Sequence, residues 1–366
     1  MTTTDYLSVT QRLADDASVR ELMRPFASLL RDPDVTELVI NRPGRVLTET
    51  HTGWHGHDLA GLDFERLMSF AVAMATFTSQ DISAQHPILS ALLPDDERIQ
   101  IVVPPVVPPR TVSITIRRPS SRERALDTYA SEGLFDDTIW QRPARLDAVM
   151  SRLSALDQQL VRLLSVRDFV GFFRRVVEGR KNLVNVGDTG SGKTSFMKTL
   201  CQHIPATERV VTIEDVRELF IPHIENCVHL LYSKGNQGQA RVTPADLIAS
   251  SLRMKPDRVL QAELRGSEAY DFLKLLTTGH AGSITSYHAQ NTAVAIERFA
   301  LMAKEHPEAA VYQDTALKRL LFLTIDVVAH LEARPVLNDQ GVQTGKRWAM
   351  TEIWFDPARK WESAFE

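Results

Sequence analysis

Eight consecutive residues, Gly187-Asp188-Thr189-Gly190-Ser191-Gly192-Lys193-Thr194, carry the spacing G-x-x-x-x-G-K-[ST]. A loop of this kind binds phosphate with its backbone. Glycines let successive N–H groups turn inward toward one anion, because no Cβ blocks the dihedrals this requires. Lys193 is placed to reach the β- and γ-phosphates of a nucleotide, and the Thr194 hydroxyl to hold Mg2+. Ser195 follows in the first turn of a helix whose positive dipole end adds to the attraction. Downstream, Arg258-Val259-Leu260-Gln261-Ala262-Glu263 reads as an apolar strand ending in a carboxylate. The position where a metal-side aspartate is usual holds Ala262. Glu263 can accept a proton from, or orient, a water attacking the γ-phosphate, and the metal then relies on Thr194, phosphate oxygens and water. Glu214-Asp215 closes another strand, where its carboxylates face the usual ligand edge of an α/β sheet. In Gly279–Ala289, His280 and His288 flank a strand of small and hydroxyl residues. His288, at the strand's end, is the candidate sensor of the γ-phosphate, with His280 as the alternative.

The elements that must position these groups follow from periodicity. Asn182–Val186 is a short apolar strand entering the loop, and Phe196, Met197, Leu200, Cys201 and Ile204 recur at helical spacing after it, with Pro205 as the stop. Strands and helices alternate from Lys181 onward, which predicts a mainly parallel sheet in a three-layer α/β domain. Its strands are Arg209–Ile213, Val228–Tyr232, Arg258–Glu263, Ser283–His288, Val327–Leu331, Met350–Phe355 and Lys360–Phe365. Its helices begin at Thr243, with Pro244 at the first position, at Ser267 and at Thr292. A flexible loop is expected at Gly235–Gln239.

The first third reads differently. A helix over Ser18–Leu30, a hairpin of Val35–Ile40 and Arg45–Thr50, a helix over Asp63–Thr76 and alternating strands Arg98–Val102 and Thr111–Ile116 predict an α+β domain with an antiparallel sheet. Arg98 opens one strand and Arg117 closes the next. They are either solvated strand ends or a guanidinium pair presented to phosphate. Residues 120–165 read as a linker with short helices, and Val166–Val177 as an amphipathic helix packed on the second domain. The expected domains are thus 1–119, 120–165 and 166–366.

Composition narrows the class. A chain of 366 residues exceeds one ordinary core, so two domains are expected. With 43% hydrophobic and 24% charged residues it has a globular balance, and a formal charge of −4 excludes a global basic signature for wrapping nucleic acid. Cys201 and Cys227 are too few and too far apart for a metal quartet or a disulfide framework. The N-terminal Met1–Tyr6 shows no signal-peptide pattern, and Leu320–Leu331, the longest apolar stretch, is too short to span a bilayer.

In this order the pieces resemble the traffic ATPases of bacterial type IV secretion systems, within the superfamily that also serves type II secretion and type IV pili. The resemblance rests on Gly187–Thr194, the acidic box Thr212-Ile213-Glu214-Asp215, Met254–Arg258 leading into Ala262-Glu263-Leu264-Arg265-Gly266, and Gly279–Ala289, supported by Glu37–Gly44 and by Ile116–Ser120. It implies a RecA-like ATPase domain behind the α+β domain, a homohexamer binding ATP and Mg2+, and nucleotide held between the domains. Arg98 and Arg117 then contact phosphate, Glu214 supports the metal and water network, and a small residue at 262 is ordinary. The implied partners are inner-membrane channel and coupling proteins and a cargo of protein or DNA–protein complex. The implied location is cytoplasmic, at the inner membrane through partners. Rivals are a type II or pilus motor, disfavoured because no cysteine quartet is present, a non-hydrolysing nucleotide-gated scaffold, and a small-molecule kinase.

Overall fold

Residues 16–118, 124–232, 242–341 and 343–365 are described by the structure, a computed structural model. The Met1–Tyr6 terminus, the domain end at Pro119, the Ser121-Arg122-Glu123 opening of the linker and the Gly235–Gln239 loop lie outside these residues. The chain divides into two compact units. The described part of the first comprises 16–118 with 335–341 and 343–346; the second comprises 124–232, 242–334 and 347–365.

In the first unit, alternation of buried and part-exposed residues builds β1 (Glu37–Arg42), β2 (Arg45–Thr50), β5 (Arg98–Val102) and β6 (Ser113–Arg117) as expected. Two more strands, β3 (Gly53–Asp58) and β4 (Ile88–Leu92), complete an antiparallel sheet in the order β3-β2-β1-β6-β5-β4. One face carries Leu38, Ile40, Ile99 and Ile114 onto the helix Phe64–Phe77, where Phe70 meets Phe26 edge-on at 5.7 Å. The helix expected over Ser18–Leu30 is broken into Ala17–Met23 and Ala27–Arg31. Pro25 lies at the break, and it both lacks an N–H and disfavours helical backbone in the residue before it.

The second unit is built on a mixed sheet, of which only 335–337 and 343–346 at two strand ends belong to the first unit. With β7 (Ile139–Trp140), β8 (Leu183–Val186), β9 (Val210–Glu214), β10 (Cys227–Leu231), β11 (Arg258–Gln261), β12 (Ile284–Tyr287), β13 (Val327–Leu337) and β14 (Gln343–Phe355), its order is β10-β9-β11-β12-β8-β13-β14-β7. Strands β8 to β12 pair in parallel, and β8, β9, β11 and β12 are buried throughout, as in a sheet covered on both faces. One face packs the helices Phe169–Glu178 and Lys193–Cys201, with Phe173 against Phe196 at 5.0 Å. The other packs Glu268–Thr277, Thr292–Lys304 and the unexpected helix Asp314–Thr324. Residues from the 124–165 stretch, expected as a linker with short helices, do form short helices, and Leu126, Tyr129, Leu146 and Leu160 lie in this core.

The expected C-terminal strand Lys360–Phe365 is instead part of a helix, Pro357–Phe365. Proline stands at its first position, and the Asp356 carboxylate accepts from the Arg359 N–H at 2.8 Å, a cap that starts the helix. Thr243 forms the expected capping box with Asp246, and Pro244 takes the first helical position. Ser267 caps nothing with its side chain; the Glu268 carboxylate accepts from the N–H groups of Arg265 and Gly266 instead.

The amino ends of the parallel strands are tied by polar groups. Asn182 donates to Thr324 O at 2.7 Å and accepts from the Ser283 N–H at 3.0 Å, which fixes β8 against its neighbours. Arg258, fully buried at the start of β11, makes a two-pronged contact with Glu208, one arm at 3.0 Å. Removing one partner of such a pair strands the other charge in a low dielectric. Glu208→Ala is therefore expected to destabilise the second unit by about 3–5 kcal/mol, read as a fall in the urea midpoint.

Candidate functional site

The four parallel strands β9, β11, β12 and β8 all end at one sheet edge, and the chemistry-bearing residues follow them: Glu214-Asp215, Glu263, His288 and Gly187. The register matters for the histidines. His288 follows β12 at this edge, whereas His280 precedes β12 and lies toward the opposite one, with Thr278 Oγ1 3.1 Å from its Nδ1.

The loop after β8 curls as its glycines allow. Gly187 (φ 148°), Gly190 (φ 76°) and Gly192 (φ 90°) all take left-handed backbone. A Cβ at Gly187 would lie 2.0 Å from Leu331 O and 2.7 Å from Ser191 Oγ, so no other residue fits there. Gly192 is the N-cap of the helix Lys193–Cys201. Lys193 is 8% exposed and folds back into the loop, donating to Gly187 O at 2.7 Å and Asp188 O at 2.8 Å. Ser191 Oγ is buried with no hydrogen-bond partner among the described residues. A cradle too tight for a Cβ, a helix N-terminus, an inward lysine and an orphaned buried hydroxyl together fit a phosphate group. Thr194 stands in the first helical turn. Among the described residues no three His, Cys, Asp or Glu side chains gather as a metal site, so a cation here would draw on the Thr194 hydroxyl and on phosphate and water oxygens.

Glu263 is brought against His288, whose Nε2 is 3.1 Å from Glu263 Oε1. Its other oxygen accepts from Arg265, through Nε at 2.8 Å and through the guanidinium terminus. Arg265 also lies 3.4 Å from Asp215. Burial pulls the Arg265 pKa down, but the carboxylates of Glu263 and Asp215 more than offset it and hold the guanidinium charged. The backbone beneath is braced. Gln261, a polar residue in a buried strand, donates to Glu263 O at 3.1 Å, Ser286 donates to Ala262 O at 2.7 Å, and the Leu264 N–H donates to Ser286 O at 2.8 Å.

The two carboxylates of the acidic box face different ways. Glu214 is fully buried and accepts from the N–H groups of Glu218 (2.8 Å) and Leu219 (2.9 Å) and from the Thr212 hydroxyl (3.0 Å). It thus shapes the loop that presents Asp215 to Arg265. His229 stands beside it, its Nδ1 2.8 Å from Thr212 Oγ1, and contacts to Cys227 and then Glu214 push its pKa up to about 9.

Arg98 and Arg117 lie in the first unit, where the β5–β6 register sets them directly opposite one another. They share one end of that sheet, as expected from antiparallel neighbours.

Sequence reasoning did not single out Arg265, Gln261 or Trp348 for this edge. Arg265 had a local signal, since a residue two positions past a strand-end glutamate can fold back on it. Trp348 had none. It arrives on β14, and its Nε1 donates to Gly190 O at 3.1 Å.

Residues 149–329 match the model of a family described as type II/IV secretion system protein. The type IV secretion system protein VirB11 of Brucella suis biovar 1 (strain 1330) is 43% identical over 94% of this chain and 92% of its own length. The type IV secretion system protein PtlH of Bordetella pertussis (strain Tohama I) is 37% identical over 93% and 95%. A crystal structure of the VirB11 ATPase from the Brucella suis type IV secretion system, in complex with sulphate, superposes with a TM-score of 0.52 at 41% identity, covering 98% of this chain and 100% of that one.

Proposed function

The chain belongs to the VirB11 family of type IV secretion ATPases, and on that premise we propose that it hydrolyses Mg-ATP as one subunit of a homohexameric motor. The motor powers assembly of, or substrate passage through, a bacterial type IV secretion system. The family model spans type II and type IV proteins alike, while the full-length relatives described above are type IV. The observation that carries the reading is the 3.1 Å contact of Glu263 with His288 at the sheet edge where the loop begins.

In this reading loop residues 187–195 hold the nucleotide, and Lys193 exchanges its two carbonyls for phosphate oxygens. Bound Mg2+, held by Thr194, would neutralise charge on the β- and γ-phosphates. Glu263 orients the attacking water and accepts its proton. Arg265 and the backbone brace keep Glu263 aimed. His288, already against Glu263, reports whether the γ-phosphate is present. Glu214 serves the network through the loop that carries Asp215. The protein works at the cytoplasmic side of the inner membrane, docked on channel and coupling proteins, and its cargo is a protein or a DNA–protein complex.

Arg98 and Arg117 of the first domain, 1–119, are proposed to close on the nucleotide. Glu37 faces Arg117 from the strand on its other side, and a phosphate meeting both guanidinium groups would add charge-assisted hydrogen bonds. Loss of a charge-assisted hydrogen bond to phosphate removes about 1.5–3 kcal/mol. Arg98→Ala and Arg117→Ala are each expected to lower kcat/KM by about 10–100-fold, with the melting temperature nearly unchanged for exposed Arg117. Steady-state phosphate release and a thermal melt of each variant test this. Unchanged kcat/KM in both would make them solvated strand ends. Absence of any phosphate release from the wild type would favour the nucleotide-gated scaffold.

A further inference from the structure

One face of the phosphate loop is held by residues far from it in sequence. The Trp348 indole N–H donates to Gly190 O at 3.1 Å. In a trans peptide the next N–H points the opposite way, and the Ser191 N–H does so, reaching across the loop to Asp188 O at 3.2 Å. The same ring lies against Gly192, where a Cβ would come within 3.2 Å of Trp348 Cδ1. Trp348 thus touches both the carbonyl that sets the loop's peptide direction and the glycine that caps its helix. The indole is itself fixed from behind. The Arg124 guanidinium sits 5.4 Å from the Trp348 ring and 5.6 Å from the Tyr129 ring, with Glu132 at 3.0 Å. Tyr129 packs edge-on against Phe196 of the loop's own helix at 5.7 Å, and Arg124 O accepts from the Thr199 hydroxyl of that helix.

We infer that Trp348 is a positioning residue for nucleotide binding, holding the Gly190–Gly192 segment in its anion-ready shape, and that Arg124 acts through Trp348. This rests on the reading of the loop as an ATP site. A residue that pre-sets the loop changes what binding costs and leaves the attack on the γ-phosphate alone, so its loss falls on KM.

The test uses the full chain and ATP. Trp348→Phe keeps an aromatic ring beside Gly192 but removes the N–H donor. It is expected to raise the KM for ATP by about 3–10-fold, the size of one hydrogen bond, with kcat within about 2-fold and an unchanged melting temperature. Arg124→Ala is expected to raise KM by about 2–4-fold. The double variant should then rise by less than the product of the two, because the residues act in series. A tryptophan emission change on adding ATP should be present in the wild type and lost in Trp348→Phe. A wild-type KM in a folded Trp348→Phe, or a fall in melting temperature with KM unmoved, overturns the inference. Wild-type protein that binds no ATP overturns the reading of the loop itself, which keeps the two failures distinct.

Discussion

Lys193→Ala is expected to lower kcat/KM for ATP hydrolysis by about 10³-fold or more, with nucleotide binding falling in parallel. The side chain is 8% exposed, folded into the loop, and held by two of the loop's carbonyls. On the proposed function those contacts exchange for phosphate oxygens, with the ammonium already held inside the loop. A preorganised donor lost from a water-poor site costs about 10²–10³ in rate, and here the donor carries a full charge that also contributes to binding. The fold should survive. Truncation leaves Gly187 O and Asp188 O without that donor, an expense of about 1 kcal/mol each. Steady-state phosphate release and an ATP titration check both halves. Turnover near the wild-type rate would remove the loop from the chemistry.

Glu263→Gln is expected to do something different: kcat falls by about 10²–10⁴-fold while ATP binding is kept. Glutamine has the size of glutamate and can still accept from Arg265, so the edge keeps its shape. It cannot take a proton from water. The side chain is 21% exposed, open enough to meet a water and enclosed enough to be aimed by Arg265 and His288. The contrast between the variants is the informative part, since the proposal gives Lys193 the holding of the phosphates and Glu263 the attack on the last of them. A Glu263→Gln protein that lost binding as well would move Glu263 into the cradle.

Much of this was legible in the amino-acid order, because the decisive features are local. The loop spacing, the apolar strand before it and the amphipathic helix after it each show within a dozen residues, and the parallel sheet follows from their repetition. Antiparallel pairing of the flanking strands was enough to bring Arg98 and Arg117 to one end. What escaped lacked a local signature. Strand β3, Gly53–Asp58, is polar, mostly exposed and forms a sheet edge, so it carries no alternation to read. Ile88–Leu92 is too short an apolar run to separate strand from helix. Lys360–Phe365 is too short a stretch to separate strand from helix by pattern, and Asp356 and Pro357 start a helix just before it. At the site, Glu214 and Asp215 are adjacent carboxylates with opposite fates, one consumed by backbone N–H groups and one facing Arg265. Only the course of the following loop decides which. Trp348 reaches Gly190 across 158 residues, a separation at which no spacing rule operates.

On the proposed function, the loop and the Glu263–His288 pair form one hydrolytic site. The most direct measurement is an acid-quenched single turnover, with enzyme in excess over ATP and Mg2+ present, following phosphate formed from bound ATP in the wild type and in Glu263→Gln. The expected result is complete conversion by the wild type, while Glu263→Gln holds its bound ATP intact over many wild-type half-times. Cleavage of bound ATP by Glu263→Gln at the wild-type rate would contradict it.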